Sequence, residues 1–310
     1  GAGLHTTQTA GLALAADLSS EAKQPRVVAL LYVMLLAGMV VSALIFALVL
    51  ADFSQLQLIR VVQGAALATM ILNCASLWKQ EQKHSAKPES LTSRSFSDAW
   101  RELMNKPGAR RFLWATGLGT AAFNMQDILL EPYGAEVLSL PVSQTTALSA
   151  FTASGMLLAF ALAAKALSRG QQPLKLAAAG AVFGVFAFAA VVFAGPLQSP
   201  DLFRLGASLI GFGGGLFAVG TLITAMNLEQ GLYKGLALGA WGAVQASAAG
   251  FAIAAGGVLR DLLKEPMLTG AWGEALQSPD MPYSVVYHIE IAMLFMTLAL
   301  IGPITRSLKS

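Results

Sequence analysis

The chain has 310 residues, of which 55% are hydrophobic and only 12% charged, and its mean hydropathy is +0.63. Soluble domains carry about 25% charged residues, so this balance excludes a soluble enzyme or a disordered chain and points to a polytopic membrane protein. The net charge of +3 then reads as basic loops on one membrane face; no nucleic acid is expected as a partner.

A bilayer core takes about 20 apolar residues per helix. That window places about nine spans, near 1–18, 27–50, 56–78, 110–131, 143–167, 174–195, 202–227, 235–260 and 284–304. The runs are continuous rather than alternating, which argues against a β-barrel. The chain opens on Gly1 without Met and enters an apolar run at once. We therefore expect the natural polypeptide to start earlier; a processed N-terminus is the alternative.

The first span holds His5 and Gln8, three residues apart and so on one helix face, with Asp17 near its end. A neutral imidazole can ligate the magnesium of a chlorophyll-type tetrapyrrole or hydrogen-bond across helices. Cys74, in the third span, is the single cysteine, so no disulfide forms within the chain, and no Cys/His spacing suggests a metal site. Residues 79–109 are polar and charged and read as a linker. Within it, Phe96, Trp100, Leu103 and Met104 fall on one face of a short helix, suited to the membrane interface or to packing on the protein.

The fourth span carries the densest polar group, Asn124, Gln126, Asp127 and Glu131, in FNMQDILLEPYG. As one continuous helix it places Asn124, Asp127 and Glu131 on a common face, expected to point into the bundle. Ionisable groups at membrane depth are costly and often functional. This set is therefore read as a ligand or proton site, with capping of neighbouring helix ends as the alternative. Pro132 and Gly134 are expected to end or kink the helix. GFGGG at 211–215 reads as a flexible or closely packed stretch. In the eighth span, Gly235, Gly239, Gly242, Gly250 and Gly256 are expected at close helix contacts, with Gln245 facing a central cavity and Arg260–Asp261 as a local ion pair or gate. His288 and Glu290 read as interfacial hydrogen-bonding groups. No catalytic motif or metal-binding cluster is visible.

If alternate loops are assigned to two sides, only Arg60, Arg204, Arg260 and Lys264 of the 20 basic residues fall on one of them. The positive-inside rule then puts the linker and the C-terminus in the cytoplasm. Three spans (1–78), a cytoplasmic linker (79–109) and six spans (110–310) correspond to a 6+6 transporter lacking its first three helices. The expected fold is therefore an all-α membrane protein with a major facilitator-like bundle, nine of a presumed twelve helices being present. A genuine nine-helix protein is the alternative.

Several stretches carry a resemblance: GLHTTQTAGLALAADL at 3–18, YVMLLAGM at 32–39, SALIFALVLADFS at 42–54, QDILLEPYGAEVL at 126–138, LALGAWGAVQASAAG at 236–250 and VYHIEIAMLF at 286–295. Together they resemble the PucC/LhaA family of purple phototrophic bacteria, a branch of the major facilitator superfamily. The resemblance implies assembly of light-harvesting antenna complexes in the photosynthetic intracytoplasmic (inner) membrane, by binding or delivering bacteriochlorophyll or a precursor to antenna polypeptides. Bacteriochlorophyll is then a possible bound cofactor, the lipid bilayer and antenna polypeptides are partners, and no enzymatic activity is expected. The superfamily's basic loop is eroded here to KALSRGQQPLK, which retains Arg169, Gly170 and Lys175 without a preceding acid. That erosion counts against active transport. The alternatives are a proton-coupled transporter of a small amphiphile or tetrapyrrole, working through Asp127 or Glu131, and a ligand-free subunit binding antenna helices.

Overall fold

A computed structural model describes residues 11, 24–49, 55–77, 96–228 and 234–307. The expected first span, with His5, Gln8 and Asp17, and most of the charged linker lie outside the described residues. The described elements in order are α1 (Gln24–Val49), α2 (Gln55–Leu77), α3 (Phe96–Asn105), α4 (Ala109–Asn124), α5 (Leu130–Glu136), α6 (Val142–Ser168), α7 (Pro173–Ala194), α8 (Pro200–Leu228), α9 (Lys234–Leu268), a 3-10 turn at Glu274–Leu276 and α10 (Met281–Ser307). Among the described residues no strand occurs. Six helical segments are long and apolar enough to cross a membrane, Ile59–Ser76, Ala147–Ser168, Pro173–Ala194, Pro200–Leu228, Gly235–Leu268 and Met281–Ile304. They match six of the expected spans.

The chain divides into two compact units, Tyr32–Phe96 and the remainder, Gly1–Leu31 with Ser97–Ser310. The smaller unit holds most of α1 and all of α2. The Gln57 side chain donates to the Val49 carbonyl at 3.1 Å, which ties the start of α2 to the last residue of α1.

In the larger unit, α8 is the axis. It packs against α7 on one side and α6 on the other, and its glycines set how closely. A Cβ on Gly180 of α7 would stand 2.5 Å from the Gly213 carbonyl oxygen, and one on Gly213 would stand 2.7 Å from the Gly180 oxygen. A Cβ on Gly211 would run into the backbone of Thr152 in α6. GFGGG is thus a close-packing stretch: without hydrophobic gain between helices in lipid, backbone proximity and dispersion hold them together. The glycines of α9 are different. A Cβ on Gly235, Gly239 or Gly250 would meet no described atom within 4 Å, whereas one on Gly256 would stand 2.5 Å from the Met125 carbonyl oxygen. Of these four glycines Gly256 stands at a close backbone contact, and Gly242 is buried.

Helix α3 packs on the protein: Leu103 is buried against Ala237 and Ala240 of α9, with Met104 beside it. Helix α9 also continues past the expected end at 260, to Leu268 and through Pro266.

Gly180→Val and Gly239→Ala separate these two environments. Valine at 180 overpacks a contact between backbones and is expected to destabilise by about 1–3 kcal/mol. Alanine at 239 removes only the glycine penalty and is expected to stabilise by up to about 1 kcal/mol. Thermal unfolding in mild detergent measures both; equal shifts for the two variants would contradict the packing described.

Candidate functional site

The expected span 110–131 is not one helix. Helix α4 ends at Asn124, residues 125–129 form turns, and α5 restarts at Leu130. Proline 132 gives the physical reason. Its ring would clash with the carbonyl four residues back, that of Ile128, and it cannot donate to it, so a helix cannot run unbroken through both. At the third position of α5 the missing N–H costs nothing, because first-turn donors have no helical acceptor. The freed groups are paired within the turn: Asp127 N–H to Asn124 O at 3.1 Å, Leu129 N–H to Gln126 O at 2.8 Å and Leu130 N–H to Gln126 O at 3.1 Å.

The break scatters the expected polar face. Asn124 turns back on its own helix, its Nδ2 donating to Thr120 O at 2.7 Å. Gln126 is buried; its Nε2 donates to Asp127 Oδ1 at 2.7 Å and to Phe123 O at 3.3 Å. Asp127 and Glu131 are exposed, so they do not point together into the bundle as a single helix required. Gln245 is half-buried and lies next to the groove-lining Val244, but is not itself part of that lining. The structure thus joins Gln126 and Asp127, and leaves Asn124, Glu131 and Gln245 apart from them.

The turn also ends an apolar groove of about 840 Å³. One wall is the α4 face Arg110, Leu113, Trp114, Gly117, Ala121 and Met125; the other is the α9 face Val244, Ser247, Ala248, Phe251, Ala252 and Ala255, with Ile289 and Met293 of α10 behind. Both helices contribute at three- and four-residue spacing, the repeat of one helix face. From Arg110 to Met125 the groove runs about 22 Å at 1.5 Å per residue. Gly117, Ala121, Ala248 and Ala252 hollow it, while Trp114 and Phe251, 69% and 78% exposed, stand at its rim. Arg110, held by its Nε donating to Met104 O at 3.1 Å, puts a cation at one end. Among the described residues no histidine or carboxylate lines the groove; these walls supply hydrogen-bond donors and dispersion.

A polar clamp closes the bundle near the turn. Arg260 of α9 donates to both oxygens of Glu136 at 2.7 Å, to Asp261 at 2.7 Å and to the Tyr283 hydroxyl of α10, and its guanidinium lies 4.7 Å from the Tyr283 ring centre. Lys264 adds a 3.1 Å pair to Glu136. The expected Arg260–Asp261 pair is present, joined to Glu136 and Tyr283. Partial burial raises the Glu136 carboxyl, but hydrogen bonds from Lys264 and Arg260 outweigh this and hold it below the usual carboxylate value. Beneath the clamp, Tyr133 of α5 stacks among Phe203, Tyr283 and Tyr287 at 5.2, 5.4 and 5.7 Å between ring centres and donates to Val191 O at 3.1 Å.

Glu290 is the main departure from the expected site. Its sequence position suggests an interfacial group, yet it is fully buried, facing the core on the same side of α10 as Tyr287. The signal was present in the sequence: Glu290 is the single ionisable residue between His288 and Arg306.

The family described as PUCC protein matches residues 1–308. The chain is 49% identical over 308 residues to an "uncharacterized protein in puhA-bchM intergenic region" of Rhodobacter capsulatus, which covers 99% of this chain and 64% of that protein. It is 48% identical over 289 residues to "Protein PucC" of Rhodovulum sulfidophilum, 92% of this chain and 62% of that protein. A more distant relative is the "Bacteriochlorophyll synthase 44.5 kDa chain" of Rhodobacter capsulatus, 27% identical over 273 residues, covering 85% of this chain and 63% of that protein. The chain therefore spans a little under two thirds of the length of these curated relatives.

The clamp predicts a pH dependence. Because the folded Glu136 titrates below its unfolded value of about 4.3, its contribution to stability is complete above that value and is lost as pH falls through the folded one. Thermal unfolding of the wild type should therefore weaken below about pH 4.3, and in Glu136→Gln that component should vanish. An unaltered difference curve between the two proteins would leave the clamp without energetic weight.

Proposed function

The chain belongs to the PUCC protein family, and from that membership we propose that it is a multi-pass membrane assembly factor for bacterial light-harvesting antenna complexes. In this reading it binds bacteriochlorophyll or a precursor and passes it laterally to antenna polypeptides in the photosynthetic inner membrane, with its linker and C-terminus cytoplasmic. It is not an enzyme.

The observation that carries the reading is the groove between α4 and α9. Its volume of about 840 Å³ lies in the range of small-molecule sites, and its walls are apolar along a length suited to a flat macrocycle with a hydrocarbon tail. The tail gains by dispersion against Trp114, Phe251 and the methionines. Arg110 and Ser247 offer donors to carbonyl groups on the ring. The described walls would retain a magnesium tetrapyrrole by packing and hydrogen bonds. The family relatives support the assembly role, and one distant relative is named a bacteriochlorophyll synthase chain.

Proton-coupled transport of a tetrapyrrole is the second reading. The broken helix favours it, since discontinuous membrane helices build transporter sites; the eroded basic loop at 165–175 counts against it.

Ala248→Trp fills the groove from the α9 wall. Full-length protein purified in mild detergent from photosynthetic membranes should carry tetrapyrrole absorbance, and the variant should retain at least tenfold less at equal protein level. Antenna absorbance per cell should fall with it. Pigment-free wild-type protein, or normal antenna levels in the variant, would overturn the proposal.

A further inference from the structure

The buried carboxyl of α10 has a chemistry that the groove does not use. Glu290 has no exposed surface, and neither of its oxygens has a hydrogen-bond partner among the described residues. Two other polar atoms in the same core are equally unmet: Gln126 Oε1 at the break between α4 and α5, and the hydroxyl of Tyr287, three residues before Glu290. The Gln126 backbone N–H faces the carboxyl without forming a regular hydrogen bond.

Among the described residues no cation stands against Glu290. Of the elements packed on α10, α4 and the turn after it bring Asp127, and α5 brings Tyr133. Helix α7 has a single titratable group, Lys175 in its first turn. Helix α9 brings Arg260, which is held by Glu136, Asp261 and Tyr283. On α10 itself stand Tyr283, Tyr287 and His288; the last is exposed, its Nδ1 2.7 Å from Ser284 O. An ionised Glu290 would be a buried, unpaired charge, the costliest arrangement in a membrane interior. As a carboxylic acid it carries no charge and gains a donor, and Gln126 Oε1, a buried acceptor without a partner among the described residues, is complementary to that donor.

We propose that Glu290 is a proton-binding site, loaded through Asp127 across the turn that breaks the fourth span. Asp127 is exposed at that turn and close enough to act on Glu290, and the Gln126 side chain positions it, giving its N–H to Asp127 Oδ1 at 2.7 Å while its own buried oxygen has no partner among the described residues. Gln126 relays no proton: its N–H fixes Asp127 Oδ1, and loading breaks the O–H bond on the other Asp127 oxygen, forms one at Glu290 and leaves Asp127 to take a new proton from water. The inference is independent of pigment binding and holds for either reading of the function.

Infrared difference spectroscopy of the full-length protein in lipid nanodiscs at neutral pH tests it. The wild type should show a protonated-carboxyl C=O band that disappears in Glu290→Gln. Asp127→Asn should keep the band but slow its deuterium shift at least tenfold after transfer to heavy water. If Glu290→Gln does not fold, Glu290→Asp should move the band instead. A spectrum without any Glu290-dependent acid band overturns the site, and unchanged deuterium exchange in Asp127→Asn overturns the route.

Discussion

The constraint on which the larger unit depends is that a membrane helix which stops must pair the backbone groups it releases. Proline 132 forces that stop in the fourth span. Residues 125–129 meet it with short-range bonds between Asn124, Gln126, Asp127, Leu129 and Leu130. Helix α9 then presses on the turn from outside: a Cβ at Gly256 or Gly257 would stand 2.5 Å from Met125 O or 2.6 Å from the Ile128 side chain. The glycines there let the two elements approach closely enough to exclude lipid from unsatisfied backbone.

Everything distinctive in the site follows from that turn. Met125 closes one end of the groove, Gln126 turns inward toward Glu290, and Asp127 turns outward. The short α5 carries Tyr133 into the aromatic cluster of α7, α8 and α10, and delivers Glu136 to Arg260 and Lys264. One chain break thus links an apolar surface, a buried acid and an ionic clamp. Around it, Gly180 of α7 and Gly213 of α8 bring those two backbones into close contact.

Much of the helical layout was legible in the sequence, because long apolar runs have no other stable form in a bilayer. Six helices fall where hydropathy places them. Side-chain direction was less legible. Asn124, Asp127 and Glu131 share a face only if the helix is continuous, and the clash at Pro132 overrides that periodicity. The polar character of FNMQD was informative, but its partner was missed. Glu290 lies near a span boundary by hydropathy, and only the tertiary fold, which lays α10 against the turn, buries it. The groove was invisible for a related reason: alanines and glycines at 117, 121, 248 and 252 carry no signal until two helices bring them face to face. Glycines 235, 239 and 250 misled in the opposite sense, since composition cannot say which face of α9 meets another helix.

The proposed function requires the groove between α4 and α9, rather than any apolar surface of the bundle, to hold the cargo. A photo-crosslinking side chain placed at Phe251, on the groove rim, and at Phe186, equally apolar and 63% exposed on α7, compares the two in intact photosynthetic membranes. The account predicts an adduct with tetrapyrrole absorbance at 251 and only lipid adducts at 186. Equal tetrapyrrole labelling at both positions, or lipid alone at 251, would contradict it.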